Sequence, residues 1–213
     1  AYKVRDFRTA SIVCNRYILD SNRKIALKWL INKAKVFEAT RKDKELVLII
    51  DDICNLMKKG CYKWRYKQFF AYYRLNNSDK FLQIASKLLK KDNVKNIDIF
   101  MKVVSYAKNQ NNTLLVYTYS KKILELQQKY HIFVQSPYID FTFVDSAKKL
   151  DKKDEAIKVL KHLVTLKIDE DKKARAYYLL GSMTKKRVYL EKCIKLKKSQ
   201  TWMPLCKDSL ELY

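Results

Sequence analysis

Few residues in this chain could carry chemistry, and their spacing does not bring them into a reactive pattern. Histidine occurs twice, as His131 and His162. His131 follows Tyr130 in a turn, and His162 stands beside the apolar Leu160 and Leu163. Neither has a second histidine or a carboxylate at metal-ligand spacing, so both read as surface or boundary residues and no metal site is expected. Asp51 and Asp52 are neighbours, which on a helix project about 100° apart. They read as a solvated face, not as an acid–base pair. Gly60 and Gly181 are the only glycines, too few for a phosphate-cradling loop. A serine or cysteine nucleophile needs a positioned base, and two histidines supply little. The expectation is no catalytic residue, no cofactor and no enzymatic activity.

The five cysteines are Cys14, Cys54, Cys61, Cys193 and Cys206. An odd count leaves at least one thiol free. The absence of a C-x-x-C pair argues against zinc and thioredoxin-type chemistry. Cys14 and Cys54 lie among apolar neighbours and read as small core residues.

Aromatic residues are abundant: 15 Tyr, 9 Phe, and Trp29, Trp64 and Trp202. Interleaved with lysine, such rings could stack nucleic-acid bases. They could equally fill the layers between paired helices. Tyr72, Tyr73, Tyr177 and Tyr178 fall on expected inner helices, which favours the second use. An exposed remainder could line a concave partner-binding face.

Basic residues outnumber acidic ones 46 to 22, a net charge of +24. That field attracts acidic protein surfaces or polyanions and acts on association rate more than on fold. Nine of the basic residues are Arg and the rest Lys, spread along the chain. Specific base or phosphate readers favour the bidentate fork of Arg. The joint excess of Lys, Asn, Ile and Tyr is also what an AT-rich genome produces, which accounts for part of the charge.

The elements that must hold these residues are helices. Two Gly and two Pro in 213 residues cannot punctuate a sheet fold, which needs turn residues every few positions. A 3.6-residue period gives about eleven helices. The first runs from about Lys3 to Asp20. A second, capped by Ser21 or Asn22, carries Ile25, Leu27, Trp29, Leu30 and Phe37. A third ends at Gly60, and a fourth holds Trp64, Phe69, Phe70, Tyr72 and Tyr73. Others are expected near 80–91, 96–109, 113–130, 138–149, 152–167, 170–184, 185–198 and 201–212. Ser136 before Pro137 is a helix start, and Asp169, Glu170 and Asp171 place negative charge at another. No apolar run of about 18 residues exists to span a membrane. The chain begins at Ala1 without a signal-peptide pattern, and the missing initiator Met suggests a fragment or processed form.

Small residues recur at Ala85, Ser120, Ala156 and Cys193, separated by 35, 36 and 37 residues. Leu88, Ile123, Val159 and Leu196 follow three positions later. Leu89, Leu124 and Leu160 follow four later, with Lys197 as the exception. A small side chain lets the paired helix approach, and the apolar pair fills the groove. The period is close to that of tetratricopeptide helical hairpins.

The segment Ala156-Ile157 … Leu160 … Leu163 resembles the second helix of a tetratricopeptide repeat. Ala176-Tyr177-Tyr178-Leu179-Leu180-Gly181 resembles the first helix of the next, with Leu180-Gly181 matching the family's Leu-Gly pair. No other repeat has that glycine, and none has the terminal proline. The run Cys193-Ile194 … Ser199-Gln200-Thr201-Trp202 … Leu205-Cys206 resembles the end of helical-repeat proteins of the periplasmic flagellar-motor scaffold, of the paralysed-flagellum type. That resemblance implies a periplasmic structural role supporting motility, with another repeat protein as partner; the alternative location is the cytoplasm.

The expected fold is all-α: a right-handed α-solenoid of antiparallel helical hairpins in one array over 1–213. Residues 1–65 form degenerate hairpins, 66–198 four tetratricopeptide-like repeats, and 199–213 a capping helix. Its packing residues are Ala85, Leu88, Ser120, Ile123, Ala156, Val159, Leu160, Leu180 and Gly181. The expected function is a protein–protein scaffold whose partner presents an acidic surface, with the binding residues open. The alternative is a nucleic-acid-binding helical repeat using the basic, aromatic-rich surface. The expected turn is Lys198-Ser199-Gln200, and a midpoint between Ser199 and Gln200 leaves Cys193 and Cys206 equidistant from it. They should therefore face one another, and be bonded if the chain resides in an oxidising compartment.

Overall fold

A computed structural model describes residues 9, 23–57, 60–90, 92–132, 137–196 and 199–212. The helix expected over Lys3–Asp20, with Cys14, lies outside the described residues. Among those described there are eleven helices. Four belong to a first compact unit, Ala1–Lys91, and seven to a second, Asp92–Tyr213.

In the first unit, α1 (Arg23–Ala39), α2 (Asp43–Met57), α3 (Tyr62–Arg74) and α4 (Ser78–Leu89) each pack on the next. Leu30, Ala34 and Phe37 of α1 meet Leu46, Val47, Ile50 and Ile53 of α2, with Trp64 and Ala71 of α3 completing the cluster. Phe69 and Phe81 join α3 to α4 through an edge-on contact, with ring centroids 5.7 Å apart.

In the second unit the same sequential packing runs through α5 (Asn96–Asn109), α6 (Thr113–Lys129), α7 (Tyr138–Lys149), α8 (Lys153–Thr165), α9 (Glu170–Thr184) and α10 (Arg187–Ile194). The last helix, α11 (Trp202–Glu211), packs on both α10 and α9. The fold is all-α, a succession of helical hairpins.

Several hairpin turns share one construction. Arg41, Asn76, Asn111, Asp151 and Lys185 all have left-handed backbones, with φ of 56°, 54°, 53°, 57° and 59°. In the first four, the next residue's N–H donates to the carbonyl five positions back: Lys42 to Phe37, Asn77 to Tyr72, Asn112 to Ala107 and Lys152 to Ala147, at 2.8–3.0 Å. This is the Schellman closure, which satisfies carbonyls the ended helix leaves unpaired. Asn77 and Asn112 then cap the following helix, their side chains accepting from Lys80 N–H at 3.2 Å and Leu115 N–H at 3.0 Å. Glycine usually takes the left-handed position; here Arg, Asn, Asp and Lys do. That is how so helical a chain manages with two glycines.

Gly181 serves a different need, close approach. A Cβ there would lie 2.5 Å from Leu190 Cδ2 and 2.7 Å from its Cγ, so its hydrogen is what admits Leu190 of α10 against α9.

The helix expected over 185–198 ends earlier, at Ile194. Leu196 N–H turns back to the Cys193 carbonyl and Ser199 N–H to that of Leu196, at 3.0 and 3.1 Å, replacing the helical ladder with tight turns. Pro137 stands just before α7 as its cap residue, not inside its first turn; Ser136 lies outside the described residues. Asp169 accepts from the N–H groups of Asp171 and Lys172 and caps α9.

Candidate functional site

The small-residue positions lie between helices. Ala85, Ser120, Ala156 and Cys193 are fully buried, as are Ile123, Leu160 and Leu180, with Leu88 nearly so. The buried Ser120 hydroxyl is satisfied by donating to the Val116 carbonyl at 2.6 Å. Val159 is only half-buried and borders a cavity. Tyr72, Tyr73, Tyr177 and Tyr178 are also half-buried. They pack against the buried core, whose aromatic residues include Phe37, Trp64, Phe69, Phe81, Phe100, Tyr117, Tyr119, Phe141 and Phe143. Burial holds the Tyr119 phenol neutral, raising its pKa to about 12.

Cys193 and Cys206 form a disulfide, with Cα atoms 6.3 Å apart, tying α10 to α11. Around it Ala174 and Leu190 are buried, with Tyr178, Trp202 and Leu210 packed against them. Ser199 is buried in the turn, donates to Asp171 at 2.7 Å and accepts from Trp202 N–H at 3.2 Å. Cys54 is not simply a small core residue: it is bonded to Cys61, with Cα atoms 5.3 Å apart, and clasps the end of α2 to the start of α3. The pair stands seven positions apart, and Gly60, at φ 81°, lies between them. That spacing around a glycine was the available signal, hidden by the apolar neighbours of Cys54.

His131, His162 and Asp140 are remote from metal-ligand spacing in sequence, yet they border one cavity of about 640 Å³ between α6, α7 and α8. His131 reaches it because the chain leaves α6 through a left-handed turn at φ 51°. Burial raises the Asp140 carboxyl pKa, opposed by a backbone hydrogen bond and the His162 field. Among the described residues, no group of three His, Cys, Asp or Glu is placed to hold a metal ion.

A second cavity, of about 560 Å³, lies within the first unit against α2, α3 and α4. Asp51 faces it and is not merely solvated: Arg65 Nη1 donates to its Oδ1 at 2.5 Å. The same nitrogen donates to Gln68 Oε1, and Gln68 Nε2 donates to the Val47 carbonyl at 3.0 Å. Gln68 is therefore buried with both ends satisfied. Asp52 is exposed. Burial, then the Asp51 charge, raises the Tyr72 pKa beside them.

Cations elsewhere are also paired with carboxylates. Asp92 accepts from Lys122 and Lys129, both at 2.7 Å, which lowers its pKa to about 2. Glu155 accepts from Lys121 at 2.7 Å and from the Tyr117 hydroxyl at 2.9 Å. Arg175 donates to Asp145 at 3.2 Å and lies 4.2 Å from the Phe141 ring centroid.

No protein-family model matches the sequence, and no curated protein does. The crystal structure of BtubC (BKLC) from P. vanneervenii is similar over 97% of this chain and 90% of that one, at 11% identity and a TM-score of 0.41. No helix among the described residues is long and apolar enough to cross a membrane.

Proposed function

We propose that this chain is a non-enzymatic protein–protein scaffold that holds a partner with an acidic surface. The observation that carries the reading is a succession of helical hairpins in a chain of net charge +24. A hairpin series offers extended faces for a partner. Complementary charge there sets encounter rate and orientation. Two disulfides accord with an oxidising compartment such as the periplasm. The flagellar-motor version of the proposal rests on the Cys193–Cys206 run alone, and no comparison supports it.

The nucleic-acid alternative needs uncovered rings on which bases can stack. The exposed rings of Tyr130 and Tyr138 each already lie against a lysine, Lys129 at 6.0 Å and Lys108 at 4.9 Å. That favours the protein reading.

The test is affinity capture with the full chain, followed by association kinetics with the purified partner across a salt series. A reproducible acidic partner whose on-rate falls with salt is expected. Retention of nucleic acid at about 150 mM salt, with no protein captured, would overturn the reading, because purely electrostatic binding is lost steeply with log salt.

A further inference from the structure

We infer that the cavity of the first unit binds an extended acidic peptide, with carboxylate side chains between Lys80 and Lys87 of α4 and aliphatic ones on the floor beneath. This rests on the scaffold reading and specifies a partner segment for it. The cavity has a polar wall and an apolar floor. Lys80, Gln83 and Lys87 form its exposed α4 side, while Ile84 and Leu88, both buried, supply the floor. Neither lysine ammonium is in an ion pair with a described residue. Arg65, in contrast, is committed to Asp51 and Gln68, so the opposite wall is fixed and close to neutral.

The surplus charge of the cavity therefore sits on two lysines. They are seven residues apart on one helix, about 10.5 Å along its axis. An extended strand covers that length in roughly four residues. Such a strand projects alternate side chains to opposite sides. A peptide alternating acidic and aliphatic residues would thus present carboxylates to the lysines and methyl groups to Ile84 and Leu88. The apolar floor of Ile84 and Leu88 favours aliphatic side chains over the unbroken polyanion of a phosphate polymer. The Cys54–Cys61 disulfide holds Cys61 at the rim, so the mouth is formed before a peptide arrives. A preformed mouth lowers the ordering cost of binding.

The experiment measures fluorescence anisotropy of a labelled, end-capped peptide alternating Glu with Val, using the full chain near physiological salt. Saturable binding is expected, with weakening of about tenfold or more, roughly 1.4 kcal/mol, in a Lys80→Glu/Lys87→Glu variant. The charge-matched Lys192→Glu/Lys195→Glu variant, on and after α10, should bind as wild type does. Circular dichroism checks that both variants stay helical, which their exposed positions favour. Equal weakening by the two variants would overturn the inference, leaving only the field of the whole chain. So would the absence of peptide binding, or a thymidylate oligomer that binds more tightly than the peptide and loses its affinity in the α4 variant. If the α4 variant still captures the acidic partner while the peptide fails, the inference falls and the scaffold reading stands.

Discussion

Ala156 has no exposed surface and sits in a core cluster of the second unit, beside Val144, Ala147 and Leu160. A larger side chain there must displace one of them. Ala156→Phe should therefore destabilise by about 1–3 kcal/mol, read from denaturant midpoints; an unchanged midpoint would show that the helices are not paired at this residue. Gly181→Ala should act in the same direction, because its new methyl group would press on the buried Leu190 side chain. Arg41 presents the opposite case. It is exposed and holds φ 56°, a conformation costing an L-residue roughly 1–2 kcal/mol. Glycine removes that cost and returns part of it as chain entropy in the unfolded state. Arg41→Gly should leave a modest net gain, visible as a raised Tm; a lowered Tm would show that the Arg41 side chain matters more than its backbone.

Helix α11 is held chiefly at its middle. Cys206 is its fully buried residue, and the disulfide to Cys193 closes a loop across 13 positions. Closing so short a loop is worth about 3 kcal/mol in the chain-entropy model. A Cys193→Ala/Cys206→Ala variant should lose stability of that order and expose α11 to proteolysis first. Recovery of both cysteines separately alkylated, from protein kept oxidising, would mean the bond does not form. Asp92 performs a comparable task by charge, joining the segment before α5 to Lys122 and Lys129 of α6. Its folded pKa lies below the unfolded value, so its contribution is present at neutral pH. That contribution falls as pH drops through the carboxylate range toward about 2. Asp92→Asn should therefore flatten the stability–pH curve below about pH 4, the unfolded carboxylate range; an identical acid limb in both proteins would remove Asp92 from the account.

At the scale of the whole molecule, charge governs encounter more than folding. Several lysines are fixed by carboxylates, as Lys121 is by Glu155 and Lys67 by Glu38. Such part-exposed pairs contribute little to stability. With a net charge of +24, most of the basic surplus has no acidic residue to match it. Stopped-flow association with an acidic partner should slow as salt rises, while dissociation changes little. A salt-independent on-rate would mean that the lysine excess reflects genome composition and has no part in recognition.

The helical class and most helix positions among the described residues were legible in sequence, because they depend on local quantities. Scarce Gly and Pro exclude sheet punctuation, and a 3.6-residue period marks which side of a helix meets its neighbour. The small residues at Ala85, Ser120 and Ala156 follow from the same periodicity. Other features depend on where consecutive helices bring residues remote in sequence. Cys54 reads as a core residue until α2 and α3 place Cys61 beside it. Asp51 reads as solvated until Arg65 arrives from the next helix, and His131, His162 and Asp140 become neighbours only when α6, α7 and α8 pack. Their sequence separations carry no period, since the meeting is set by turn geometry and interhelical packing. The cavity along α4 has the same origin: Lys80 and Lys87 are two lysines among many in sequence, and only packing over Ile84 and Leu88 gives them a shared wall.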